Sequence, residues 1–181
     1  MKISATGLND CFILEPKVHG DQRGFFLESF NQKVFDEATQ SNFKFVQDNH
    51  SKSKKGVLRG LHYQVNQPQG KLVRVLRGEV FDVAVDLRKS SSTFGKTFGL
   101  TLNEHEKKLF WIPPGFAHGF IVLSDEAEFF YKTTDYYAPH AEKCIIWDDP
   151  DLKIDWKLSQ IPILSDKDLK GELFQNCAVF D

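Results

Sequence analysis

Between residues 56 and 134 the chain breaks repeatedly into short apolar or alternating runs. Each is closed by a turn signal before a helix of ordinary length could be completed. Phe81, Val83, Val85 and Leu87 alternate with Val80, Asp82, Ala84 and Asp86, the two-residue period of a strand with one apolar face. Lys71–Arg77 behaves likewise, and Gly78 supplies the turn before the next strand. Residues 100–102, 109–112, 119–123 and 128–133 continue the series, divided by turns at Asn103, Pro113-Pro114-Gly115 and Ser124-Asp125. Many short strands punctuated in this way predict an all-β, antiparallel sandwich or barrel.

A chain of 181 residues fits one domain around one core. Seventeen phenylalanines against one methionine point to rigid filling of a sheet interior rather than to an adaptable binding surface. The formal net charge is -2 with both signs interspersed, which leaves no footprint for nucleic acid or an anionic membrane. An anionic ligand must then be held by local arginines and lysines. Cys11, Cys144 and Cys177 are odd in number and widely spaced, fitting neither a disulfide framework nor a zinc motif. The segment MKISATGLNDCFILEP holds no apolar run of signal-peptide length, and no segment approaches a membrane span. A soluble cytoplasmic protein is expected.

Residues 1–20 read as an extended arm, in which Pro16 marks an edge strand or a strand end. His19-Gly20-Asp21 has turn chemistry, and residues 23–30 form the next strand. Asn31 can cap a short helix over 33–40 with Val34, Phe35 and Ala38 on one face. Residues 43–51 read as a strand ending in polar groups, and Lys52 to Lys55 as a basic, solvated loop. Beyond Pro139 apolar runs thin out: residues 147–156 look like ordered loop, and Ser165 starts a brief helix.

The stretch Gly56 to Gln64, GVLRGLHYQ, carries Arg59, His62 and Tyr63 on a strand. A lone histidine there is ordinarily a hydrogen-bonded core group. Its surroundings resemble the cupin barrel: Gly56, five residues and His62 match the start of the first metal motif, and Pro113-Pro114-Gly115-Phe116-Ala117-His118 matches the second. Gln64 stands where the second histidine of that motif belongs, and Pro68 or Gln69 where its glutamate belongs. Two imidazoles fall short of the three protein ligands of a catalytic metal site, so neither metal nor cofactor is expected and acid–base chemistry is the better use for them.

A broader resemblance joins these pieces. Asp21-Gln22-Arg23-Gly24-Phe25-Phe26-Leu27-Glu28, Gln47-Asp48-Asn49-His50-Ser51, GVLRGLHYQ, Gln69-Gly70-Lys71, the segment 113–120 and Tyr131-Lys132-Thr133-Thr134-Asp135 occur in the order and spacing of the dTDP-4-dehydrorhamnose 3,5-epimerase family. Trp147-Asp148-Asp149-Pro150, Ile154-Asp155-Trp156 and Ser165 to Asp168 extend the likeness to about residues 10–170. The resemblance implies a cupin-like jelly roll with a few short peripheral helices, in one domain over 1–181. It also implies a homodimer on which the N-terminal arm, about 1–30, is packed or exchanged, and a substrate that is a dTDP-linked 4-keto-6-deoxy sugar.

A ketone at carbon 4 acidifies the C–H bonds at carbons 3 and 5, because the carbanion delocalises onto the ketone oxygen. Inversion needs a base on one face, a proton donor on the other and a cation or donor at the oxygen. His62, titrating near neutrality, is the candidate base, and the resemblance makes Asp168 its orienting partner. Lys71, at a strand start, is the candidate oxyanion partner, against a solvated strand-end lysine. Tyr131 is the candidate acid, against a core aromatic beside Phe129 and Phe130; alternation puts it on one face with Phe129 and Thr133. His118 is assigned support. Arg59 and Arg23 match phosphate-binding positions; Gln47 and Asn49 can donate to phosphate or sugar. Phe26, Glu28 and Tyr137 match nucleoside contacts, with Lys167 a further substrate contact. In the family the arm bearing Arg23, Phe26 and Glu28 comes from the neighbouring subunit.

Strict alternation sets Arg59 and His62 on opposite faces, and Gly60 can resolve this by allowing a bulge. Three alternatives to the two-carbon epimerase stand: a relative inverting one carbon of a related dTDP-4-keto sugar, a metal-dependent cupin oxygenase disfavoured by Gln64, and a catalytically silent sugar-nucleotide-binding cupin.

Overall fold

A computed structural model describes residues 1–181. The strands are β1 (Lys2–Ala5), β2 (Phe12–Glu15), β3 (Val18–Asp21), β4 (Gly24–Leu27), β5 (Gln47–Lys54), β6 (Leu58–Gln64), β7 (Lys71–Arg77), β8 (Glu79–Asp86), β9 (Thr97–Asn103), β10 (Leu109–Ile112), β11 (Phe116–Val122), β12 (Glu126–Thr133) and β13 (Glu142–Cys144). Two short α-helices, α1 (Gln32–Thr39) and α2 (Asp166–Leu169), lie outside them. A six-stranded sheet in the order β1-β2-β10-β7-β12-β5 faces a five-stranded sheet in the order β13-β6-β11-β8-β9, and β3-β4 form a separate hairpin. Apart from β1-β2 and β8-β9, sheet neighbours are not chain neighbours, and the pairings of these strands are antiparallel, as in the expected cupin-like jelly roll. No helix is long and apolar enough to cross a membrane.

The central core lies between the sheets. Val73, Val75, Phe110, Ile112 and Phe129 from the larger sheet meet Val80, Ala84, Leu102, Phe116, Phe120 and Val122 from the smaller. On β8 this interior face is the mixed one, so Asp82 is carried inside with Val80 and Ala84. The all-apolar face of Phe81, Val83, Val85 and Leu87 points the other way and is covered by Ile145, Leu152, Trp156 and their neighbours. On the outside of the larger sheet Phe35 of α1 packs with Leu14, Leu72, Leu109 and Trp111, flanked by Phe30, Phe43 and Phe45. Both sheets are thus buried on both faces over part of their area, which accounts for the phenylalanine content.

Three boundaries differ from the sequence reading. Lys52 to Lys54 are not loop: β5 runs on to Lys54 because β12 is long enough to pair with it, Glu126 opposite Lys54 and Glu128 opposite Lys52, and Lys52 Nζ reaches diagonally to Glu126 at 2.8 Å. His19 to Asp21 are strand residues of the hairpin, and its turn falls one step later, at Gln22-Arg23. Residues 2–15 are not a free arm, since β1 and β2 pair in the chain's own larger sheet through β10. Only the hairpin β3-β4 remains outside the two sheets, with Phe25 58% and Phe26 72% exposed. The helix begins where expected: Asn31 accepts the Val34 N–H at 3.3 Å.

Candidate active site

Alternation along three neighbouring strands of the larger sheet builds one wall of an open cavity of about 400 Å³. Tyr131 sits opposite Asn49 and Val73, while Thr133, two residues on, sits opposite Gln47 and Lys71. The same face therefore presents Gln47, Asn49, Lys71, Tyr131 and Phe129 to the cavity. The facing wall comes from the smaller sheet, where His62 lies directly opposite His118.

Arg59 reaches this wall through a break in the ladder. His118 pairs with His62 but Phe120 pairs with Arg59, so two residues of β11 span what three residues span in β6. The extra residue shifts the side-chain phase, giving Leu58 and Leu61 to the outer core and Arg59 and His62 to the cavity. Gly60 makes this possible. Its φ is +129°, and a Cβ there would stand 2.5 Å from Gly119 Cα and 2.8 Å from the His118 carbonyl oxygen. Arg59 donates from Nε and Nη2 to Ser53 Oγ, at 3.1 and 3.0 Å.

Asp168 arrives from more than a hundred residues away. Ser165 caps α2 and is capped in return, so Asp168 Oδ2 accepts from Ser165 Oγ at 2.6 Å and from its N–H at 3.3 Å. That leaves Oδ1 to accept from Gly60 N–H at 3.2 Å and from His62 Nε2 at 2.6 Å. Burial raises the carboxyl, but hydrogen bonds from His62 and Ser165 outweigh it and hold Asp168 at about 2. An ionised carboxylate only accepts, so Nε2 carries the proton and Nδ1 is the nitrogen free to receive one. Burial pushes the His62 imidazole below its ordinary value, with Asp168 pulling the other way.

Lys71 is buried, and its ammonium donates to the His62 carbonyl at 3.3 Å. Burial lowers it to about 8 against the pull of Glu142 and Asp82. Burial raises the Tyr131 phenol, with Glu142 adding to the effect, so it holds its proton at neutral pH. His118 Nε2 is hydrogen-bonded to both oxygens of Asp82, at 2.9 and 3.0 Å. At the mouth, Glu142 accepts from Lys167 Nζ at 2.6 Å and from Tyr137 Oη at 2.9 Å.

Nine of the thirteen candidates therefore line one cavity, with Asp168 behind His62. The chain does not bring Arg23, Phe26 or Glu28 there. Arg23 and Phe26 lie on the hairpin, Arg23 donating to Asp21 at 2.5 Å, and Glu28 directly follows it. Sequence reasoning missed Asp82, Glu142 and Cys144. A carboxylate between Val80 and Ala84 on an interior face was a readable signal, because a buried charge needs a partner; Glu142 and Cys144 fell beyond Pro139, where apolar runs thin out and no strand was assigned. Cys144, its thiol raised to about 12 by burial, contributes with His62 and Asp168 three ligand atoms lying within 4.8 Å of one another. Gln64 instead ties loops together, donating to the Gln67 and Tyr136 carbonyls and accepting from Ala138 N–H.

The sequence model of the dTDP-4-dehydrorhamnose 3,5-epimerase family matches residues 5–176. The chain belongs to that family. An enzyme called dTDP-4-dehydrorhamnose 3,5-epimerase from Shigella flexneri is 59% identical over 181 residues, and one from Pseudomonas aeruginosa 57% over 180, each alignment covering 99% of both chains. Among solved structures, dTDP-6-deoxy-D-glucose-3,5-epimerase from Legionella pneumophila, in complex with dTDP-4-keto-L-rhamnose, superposes with a TM-score of 0.95 at 54% identity. That likeness covers 98% of this chain and 94% of the other. As a member of that family the chain is an isomerase, and its cavity carries a histidine–carboxylate pair on one wall and a phenol on the other.

Proposed function

We propose that this protein inverts carbons 3 and 5 of dTDP-4-dehydro-6-deoxy-D-glucose to give dTDP-4-dehydro-L-rhamnose. The observation that carries the reading is the separation of the two proton-transfer groups: His62, hydrogen-bonded to Asp168, belongs to one sheet, and Tyr131 to the sheet facing it. A sugar ring held between them has a base on one face and an acid on the other.

His62 Nδ1 takes the proton from the carbon next to the ketone, and the Asp168 carboxylate stabilises the imidazolium that results. The electron pair moves to the ketone oxygen, where Lys71 donates; one preorganised donor of this kind is worth roughly 3 kcal/mol in the transition state. Tyr131 delivers its proton to the opposite face, and water restores both groups. His118, fixed by Asp82, supports the closed end of the cavity. Arg59, Gln47 and Asn49 hold the pyrophosphate and sugar, and Lys167 and Tyr137 flank the mouth. The hairpin bearing Arg23 and Phe26, with Glu28 just beyond it, completes the nucleotide site from a second copy in a homodimer. Its exposed phenylalanines and its place outside both sheets support this role.

The test is to incubate chelator-treated protein with the 4-keto sugar nucleotide in deuterated water and locate solvent deuterium in the product. Deuterium at both carbons is expected; one labelled carbon would favour a single-site epimerase, and none would end the proton-transfer reading. His62→Ala should abolish exchange at both carbons, whereas Tyr131→Phe should slow inversion more than exchange.

A further inference from the structure

Cys144 has no part in the proton-transfer scheme, yet the fold sets it against the group on which that scheme depends. Leu61 and Ile145 exchange both backbone hydrogen bonds, at 3.1 and 2.9 Å, so the next pair along, His62 and Cys144, occupies a position without ladder hydrogen bonds. Side chains of antiparallel strands approach most closely at such positions. Asp168 closes the group from α2, held from behind by Ser165. One imidazole nitrogen, one thiol sulfur and one carboxylate oxygen thus lie within 4.8 Å of one another.

We propose that His62, Cys144 and Asp168 form a binding site for a single thiophilic divalent cation, zinc being the reference case, whose occupancy switches off proton abstraction. Three ligands of these types with a fourth position open to water match what zinc accepts. The donor set is distinct from the His62–His118 pattern of the cupin motifs, in which His118 is turned to Asp82. The ion enters between Nε2 and Asp168 Oδ1. Cys144 releases its thiol proton to solvent and ligates as thiolate, and the imidazole stays neutral, its one proton moving from Nε2 to Nδ1. The nitrogen that must accept the substrate's proton is then already protonated. Binding itself is independent of the proposed function; its inhibitory consequence rests on His62 being the base.

Cobalt(II) added to the chelator-treated full-length protein tests binding by a readout separate from activity. A near-ultraviolet thiolate-to-cobalt band that saturates at one ion per chain is expected, absent from Cys144→Ala and Cys144→Ser. Zinc should stop deuterium exchange into the substrate and a chelator should restore it. Both variants, fully active without metal, should need at least about tenfold more zinc for the same inhibition. A cobalt spectrum without the thiolate band, or equal zinc sensitivity in wild type and both variants, would overturn the proposal. If the band appears and metal-free wild type exchanges no deuterium, the site stands and the functional reading falls.

Discussion

Gly60→Ala tests the link on which the composition of the cavity depends. Two costs can be read from the structure. An alanine held at φ +129° leaves the regions open to L-residues, a strain of about 1–3 kcal/mol. Its Cβ also meets Gly119 Cα at 2.5 Å and the His118 carbonyl oxygen at 2.8 Å. Both contacts are backbone atoms of the paired strand, so no rotamer change relieves them and overpacking adds about 1–3 kcal/mol. Together these predict a loss of about 2–6 kcal/mol and a Tm lower by roughly 5–20 °C for a chain of this size. If β6 relieves the clash by reverting to a regular ladder, Arg59 and His62 fall on opposite faces and one of them leaves the cavity. The assay is thermal unfolding beside steady-state epimerisation below the lowered Tm. Loss of Arg59 appears as a raised KM, and loss of His62 as a fall in kcat. Gly7→Ala is the control, because Gly7 has a φ of +89° and a Cβ added there would meet nothing within 4 Å, so it carries strain without collision. Gly60→Ala with wild-type Tm and kcat/KM would refute the argument that the bulge needs glycine and aligns the two residues.

Asp168→Asn should cut kcat by about 100- to 10,000-fold, since the amide keeps an acceptor near Nε2 but no charge to favour the imidazolium. Because burial already lowers His62 and Asp168 opposes it, the acid limb of kcat/KM should lie below the ordinary 6.5 in wild type and fall further in this variant; an unmoved limb counts against the pairing. The same carboxylate, shifted from 3.8 to about 2, contributes about 2 kcal/mol of stability. Its folded value is depressed, so that contribution is complete above about pH 4 and is lost as pH falls towards 2. The wild-type Tm should therefore drop more steeply than that of Asp168→Asn over this interval. In the proposed role Lys71 must be protonated, and with its ammonium at about 8 activity should decline as pH rises through that value. Lys71→Met should lower kcat roughly 100- to 1,000-fold and abolish that basic limb.

What the sequence made legible follows from the range over which each signal acts. The strands of residues 71–87 and 128–133 were readable because a two-residue period is local, and the same period assigned Tyr131 and Phe129 to one face. The brief helix after Ser165 was equally local. Its docking was not: nothing near Asp168 in the chain specifies Gly60 and His62 as partners; the family resemblance supplied the pairing with His62, and nothing supplied the one with Gly60. The three-residue strand β13 escaped because its identity depends on pairing with β6 rather than on its own pattern, and Glu142 and Cys144 escaped with it. The basic run at Lys52 to Lys54 misled for the complementary reason, since exposed lysines opposite glutamates on an edge strand have the composition of a solvated loop.

The hydrogen bonds around the cupin-like positions explain why His62 and His118 are not arranged as the converging imidazoles of the cupin metal motif. A metal needs imidazole nitrogens left free to converge on one point. Here His62 and His118 are cross-strand neighbours, yet each commits Nε2 to a separate buried carboxylate, Asp168 from α2 and Asp82 from β8. Gln64, where the second histidine of the first cupin motif belongs, uses both ends of its amide on the loops at 67 and 136–138. Each imidazole is instead turned to its own carboxylate, which leaves His62 Nδ1 as the open nitrogen on which the proposed proton transfer relies. Restoring a histidine at Gln64 would therefore not rebuild a metal site by itself: the variant would lose three loop contacts and leave both imidazoles still held by their carboxylates.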